Sequence, residues 1–168
     1  MRWLTLFVLG CFGAAAAPAL AQNNYASLLA EGDVMLRDFR FGSGVTLPEL
    51  RIHLATLGTP RRDAAGRIVN AVMVLHGTGG SGRQFLQPQF ADELYGPGQP
   101  LDIRRYYIIL PDGIGHGRSS KPSDGLRMRF PAYDYADMVE AQRRMLIEGL
   151  GVSRLRLLMG TSMGCMHG

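Results

Sequence analysis

Cysteine is nearly absent from this 168-residue chain, which carries only Cys11 and Cys165. Only Cys165 lies beyond the N-terminal leader read below, so no internal disulfide is available and stability must come from the core. The histidines, His53, His76, His116 and His167, stand far apart and none joins a cysteine at zinc-like spacing, so no metal is expected. Basic residues exceed acidic ones by 18 to 14, but they are scattered, with only short pairs such as Arg61-Arg62, Arg104-Arg105 and Arg143-Arg144. A nucleic-acid surface needs its cations concentrated on one face, so these read as solvated surface charge and nucleic acid is not an expected partner. A Walker lysine pattern, internal repeats and low-complexity tracts are also lacking. What is present is 46% hydrophobic and 19% charged residues, the composition of a packed domain rather than a disordered one.

Residues 1–21 read as a secretory signal peptide. Arg2 supplies the positive start, and Trp3 to Ala17 form an apolar stretch too short for stable membrane insertion. Ala19-Leu20-Ala21 matches the small-residue cleavage pattern, so the mature chain is expected to begin at Gln22 and to be exported, periplasmic or secreted. Pro18 and the polar Gln22-Asn23-Asn24 argue against a buried helix here. Cys11 as a lipid-attachment site fits less well, because the apolar stretch continues past it.

Residues 22–168 read as part of one domain. Val34 to Phe41 and Leu50 to Leu57 predict two strands, with Gly42-Ser43-Gly44 as a turn that makes them a hairpin at a sheet edge. Ala71 to Leu75, Tyr106 to Leu110 and Leu155 to Met159 are short, continuous apolar runs, as expected for strands buried on both faces. Between them lie two helical patterns. Gln84 to Leu94 is interrupted by Pro88. Tyr135 to Leu150 places Tyr135, Met138, Val139, Gln142, Leu146 and Leu150 near one face, leaves Arg143, Arg144 and Glu148 to solvent, and has Gly149 and Gly151 as a stop. Buried strands alternating with helices predict an α/β fold, a mostly parallel sheet with helices on both faces.

The last buried run leads directly into Gly160-Thr161-Ser162-Met163-Gly164, a G-x-S-x-G pattern. Its physics is a sharp strand-to-helix turn that strains the serine backbone and lifts the hydroxyl above the sheet. Gly160 and Gly164 must be tiny because backbone approaches closely there. A Gly/Ser loop can match five residues by chance, but the strand before this one sets it apart. Ser162 is therefore the candidate nucleophile, and it needs a base to take its proton and N–H donors for the oxyanion. His76-Gly77-Thr78-Gly79-Gly80, after the first buried run, supplies a glycine-rich loop for the second requirement. The backbone N–H groups of Thr78 and Met163 are the expected oxyanion hole.

Gly77, Gly79 and Gly82 also spell the dinucleotide-binding G-x-G-x-x-G. The acid that pattern requires should end the next strand about 20 residues on. Asp102 has the spacing but precedes that strand, and Asp112 ends it but is too distant. No cofactor is expected.

With these residues in view, the chain resembles the α/β-hydrolase superfamily, and within it the homoserine O-acetyltransferase-like branch. The likeness extends through Leu47-Pro48-Glu49-Leu50, Thr56-Leu57-Gly58-Thr59, Asn70-Ala71-Val72, the loop Pro111 to Pro122, Phe130-Pro131, Asp137-Met138-Val139 and Ala141-Gln142. One departure is Cys165, where the family usually has a further glycine at the helix start. The resemblance implies an α/β-hydrolase fold truncated just after the nucleophile elbow. In that fold the acid and base follow the serine in chain order. Both would lie past Gly168, on the order of 60–100 residues of strand–helix units away. His167 is expected to pack on or near the helix, His76 to belong to the oxyanion loop and His116 to a loop. The chain by itself is accordingly expected to be inactive, and the strand at Leu155 to Met159 to expose an aggregation-prone edge.

Three functional readings stand. The first is an exported hydrolase of a small-molecule acyl substrate working through an acyl-enzyme. The second is a homoserine-type acyl transferase, whose cytosolic substrates fit export poorly. The third is an inactive truncated gene product, which a reading frame continuing past Gly168 would exclude for the parent.

Overall fold

The computed structural model describes residues 25–168, so the leader lies outside the described residues. Five strands form one sheet: β1 (Ala30–Arg40), β2 (Thr46–Leu57), β3 (Ala71–Leu75), β4 (Tyr107–Pro111) and β5 (Leu155–Gly160), in the order β1-β2-β4-β3-β5. β1 and β2 pair antiparallel, with Val34 opposite Ile52, and their turn is closed by Phe41 N–H to the Val45 carbonyl at 2.9 Å. β2 meets β4 antiparallel, whereas β3 runs parallel to both β4 and β5. The sheet is thus an antiparallel hairpin joined to a parallel unit, and both hairpin strands start four residues earlier than the apolar pattern alone indicates.

Period-2 alternation sends neighbouring side chains of the central strands into two separate cores. Ala71, Met73, Leu75, Tyr107 and Ile109 pack on one face with Met138, Ala141, Met145 and Leu146. Val72, Val74, Ile108 and Leu110 pack on the other with Phe85, Ala91 and Tyr95. Each fully buried aliphatic or aromatic side chain contributes about 1.5–3 kcal/mol of transfer free energy. This is why β3 and β4 have no polar positions: helices cover both faces.

Three expectations change in detail. The Gln84 to Leu94 segment is two pieces, a 3₁₀ turn at Gly82–Leu86 and helix α1 at Pro88–Leu94. Proline forces the preceding residue out of helical conformation, and Gln87 is extended at ψ 143°. The Tyr135 to Leu150 segment is helix α2 (Tyr135–Arg144) followed by a π-helical turn (Met145–Leu150), ending on Gly151 at φ 72°. Its buried stripe is Met138, Ala141, Gln142, Met145 and Leu146, while Tyr135 and Val139 fall on the exposed flank. An Asp134/Asp137 capping box starts this helix, and Asp137 also accepts from Gly42 N–H at 2.7 Å, tying the helix to the hairpin turn.

The third change concerns β5, which is not buried on both faces: Leu157 and Leu158 are 43% and 38% exposed. It pairs with β3 alone among the described strands and forms the sheet's second edge. Among the described residues no helix is long and apolar enough to cross a membrane.

Candidate active site

β5 ends at Gly160 and helix α3 (Met163–Met166) begins three residues later, so the chain reverses within Thr161-Ser162. Thr161 N–H bonds the Leu75 carbonyl at 3.0 Å, which pins the turn to the end of β3. Gly164 N–H to the Thr161 carbonyl and Cys165 N–H to the Ser162 carbonyl, each 2.9 Å, close it. Ser162 is left at φ 50°, ψ −118°, a conformation that costs a side-chain-bearing residue ~1–3 kcal/mol. Its side chain is exposed, and its hydroxyl bonds no other described residue.

The two glycines flanking this turn are sterically obligatory. A Cβ on Gly160 would lie 2.5 Å from the Gly164 carbonyl carbon, and one on Gly164 would lie 2.7 Å from that of Leu75. Cys165, the departure from the family pattern, faces solvent and directs Sγ to the Gly160 carbonyl at 2.7 Å. It therefore leaves the helix start undisturbed.

The glycine-rich loop after β3 lies directly against the serine: a Cβ on Gly77 would sit 3.3 Å from Ser162 Cβ. Thr78 is exposed beside it, and Met163 is buried at the first position of α3. Neither the Thr78 nor the Met163 N–H donates to another described residue. A cavity of about 780 Å³, lined by Thr78, Gly80, Arg83, Gln84, Phe90 and others, opens beside the loop.

His76 organises this loop. Its Nε2 accepts from Gly113 N–H at 2.9 Å, so the ring proton resides on Nδ1, which donates to the Gly77 carbonyl at 2.8 Å. Burial pushes its pKa down, reinforced by His116, whose ring centroid lies 5.1 Å away. Asp112, at the end of β4, completes the scaffold: Oδ1 accepts from Gly82 N–H at 2.8 Å and Oδ2 from Arg118 N–H at 2.7 Å. Sequence reasoning did not single out this role. The available signal was a carboxylate following a buried strand and opening a glycine-rich loop.

His167 caps the end of α3 rather than lying within it, and its buried ring stands 5.6 Å from that of Tyr135. Neither ring nitrogen has a hydrogen-bond partner, and burial lowers its pKa. Asp102, weighed with Asp112 for a dinucleotide site, is clamped by Arg104, whose hydrogen bonds hold it well below the usual carboxylate range. Among the described residues no three His, Cys, Asp or Glu side chains are grouped to hold a metal ion.

Comparison with known proteins agrees with this fold. Residues 70–168 match the family model for the alpha/beta hydrolase fold. A homoserine O-acetyltransferase of Pelobacter propionicus is 36% identical over 157 residues, covering 84% of this chain and 41% of that protein. One from Moorella thermoacetica is 40% identical over 140 residues, covering 74% and 36%. The chain thus spans roughly two fifths of the length of these curated relatives. Among solved structures, an acetylester hydrolase from Corynebacterium glutamicum superposes with a TM-score of 0.68 at 24% identity, covering 82% of this chain and 38% of that one. The homoserine O-acetyltransferase from Staphylococcus aureus gives 0.62 at 24% identity, covering 83% and 41%. The strand order, the two-sided core and the matched 70–168 segment agree: this chain belongs to the alpha/beta hydrolase fold family.

Proposed function

We propose that the protein is a serine-nucleophile enzyme that transfers an acyl group from a small-molecule substrate to water through an acyl-enzyme on Ser162. The observation that carries this reading is the backbone of Ser162, held at φ 50° with its hydroxyl exposed and the glycine-rich loop against it. The Thr78 and Met163 N–H groups receive the oxyanion, each worth about 3 kcal/mol in the transition state. Gly160 and Gly164 act only by permitting the turn. The chemistry requires a base for the serine proton and needs neither metal nor organic cofactor. No described histidine or carboxylate bonds Ser162, so residues 22–168 alone should lack turnover, since losing the base costs serine hydrolases ~10⁶-fold.

The second reading is transfer to an alcohol, supported by the 36–40% identity to proteins named homoserine O-acetyltransferase. The two differ only in what intercepts the acyl-enzyme. The full-length protein should release acid from an activated acyl ester, and Ser162→Ala should abolish this. Diversion of product from acid to ester on adding homoserine would instead establish the transferase. Turnover surviving in Ser162→Ala would overturn both. On the same reading residues 1–21 direct export, which predicts an N-terminus at Gln22 in the secreted or periplasmic fraction.

A further inference from the structure

The opposite end of the sheet carries a second, differently charged cavity. It opens where the parallel strands begin: Asn70 precedes β3, Arg105 and Tyr106 precede β4, and Arg156 is the second residue of β5. Ser162 lies past the other end of β5, so the strand length, about 16–20 Å at ~3.3 Å per residue, separates the two. The cavity encloses about 490 Å³ and is lined by four arginines, Arg61, Arg62, Arg105 and Arg156, together with Asn70 and Tyr106, and by no carboxylate.

This concentration is not ordinary surface charge. Eight of the sixteen described arginines form ion pairs with carboxylates, and four of the eight that do not line this cavity. The acids nearest in sequence are already committed, Asp63 to Arg67 and Asp102 to Arg104. Three of the four arginines are also held in place by the backbone, and the fourth by an aromatic ring. Arg61 Nη2 donates to the Arg105 carbonyl at 2.8 Å, Arg156 Nε to the Val69 carbonyl at 2.9 Å, and Arg62 Nη1 to the Gly66 carbonyl. Arg105 lies over the Tyr106 ring, 5.6 Å from its centroid.

Buried Asn70 is the hub of this arrangement. It accepts from Arg61 N–H at 2.7 Å and donates to the Thr59 and Arg105 carbonyls, both at 3.1 Å. Three separate segments thereby meet at one point. Each guanidinium uses one N–H on a carbonyl, or none, and keeps the rest free. Fixed planar forks with spare donors and no counter-charge are the chemistry that binds phosphate oxygens, and a bound anion would also relieve the mutual repulsion of the four cations.

We propose that this cavity is a binding site for a phosphate-bearing anion, separate from the candidate active site and independent of which acyl acceptor that site uses. The phosphate can arrive free or as a lipid headgroup. Calorimetry on the full-length protein with inorganic pyrophosphate, alongside sedimentation with phosphatidylcholine vesicles with and without phosphatidylglycerol, distinguishes the two. Pyrophosphate should bind once per chain, weaken as salt rises, and bind about tenfold more weakly to the Arg105→Gln/Arg156→Gln double variant. Binding only to phosphatidylglycerol vesicles, lost in that variant, supports the site and assigns the phosphate to lipid. Absence of saturable binding to either probe, or equal binding by the variant, overturns the proposal. Both substituted side chains are exposed, so a thermal melt matching the parent's confirms that the fold is intact. Should the melt fall, the single Arg61→Gln variant takes its place with the same expected direction.

Discussion

The Nε2 of His76 accepts the Gly113 N–H at 2.9 Å while its Nδ1–H donates to the carbonyl of Gly77, the residue packed against Ser162. One neutral ring thus joins the loop after β4 to the loop after β3. His76→Ala should leave buried Gly113 N–H unpaired and cost about 1–3 kcal/mol, measured by urea unfolding. In the full-length protein it should also reduce turnover more than substrate binding, because the Thr78 N–H would lose its fixed direction.

The same burial sets a pH dependence. The pKa values of His76 and His167 both fall below the ordinary 6.5, chiefly through desolvation. The unfolded chain therefore takes up protons near 6.5 that the folded chain refuses until lower pH. The stability held by these neutral rings is complete above that value and is lost progressively as pH falls through it. Urea midpoints should be flat with respect to these groups above about pH 7 and should decline on going to pH 5. Replacing both rings with glutamine should flatten that segment of the curve. The described carboxylates with shifted pKa values are all lowered from 3.8–4.5 and act at more acidic pH, outside this window.

Ser162 sits where glycine would be relaxed. Ser162→Gly should raise stability by about 1 kcal/mol relative to Ser162→Ala, because only the glycine escapes the strain at φ 50°. Both variants should be equally devoid of turnover. Equal unfolding midpoints for the two would contradict the strain argument.

At Gly164 the limit is space. An added methyl would meet the Leu75 backbone at 2.7 Å or less, and backbone of a central strand cannot withdraw. Gly164→Ala should destabilise the chain by about 1–3 kcal/mol or more, whereas Cys165→Ala next to it should be nearly neutral to stability. Paired denaturation curves of the two variants test the contrast directly.

Asp112→Ala should cost about 2–3 kcal/mol, since two backbone N–H groups, those of Gly82 and Arg118, lose their acceptor together. Asp112→Asn keeps one carbonyl oxygen and should lose less, again read from unfolding midpoints.

Much of this protein follows from local pattern. Ala71 to Leu75 and Tyr106 to Leu110 read as doubly buried strands because helices cover both faces of the sheet; the first matches β3 and the second lies one residue before β4, Tyr107–Pro111. The glycine–serine–glycine spacing at 160–164 anticipates a tight turn, since backbone clearance depends on the residues at the turn itself. The exposed flank of α2 was less legible, because Tyr135 and Val139 are apolar and the helix stripe is decided by which side meets the sheet.

Contacts between distant segments were settled only by the tertiary structure. The hydrogen bond from Gly113 N–H to the His76 ring spans 37 residues, and the two N–H groups held by Asp112 come from opposite directions in the chain. Arg61, Arg62, Arg105 and Arg156 are scattered in sequence and carry no signature of a common surface. They converge because the strands they precede or begin are parallel, which brings strand starts to one end of the sheet and Ser162 to the other. Periodicity and turn chemistry act over a few residues and are written in the sequence; the charge at either end of the sheet depends on strand order and direction, which only the folded chain sets.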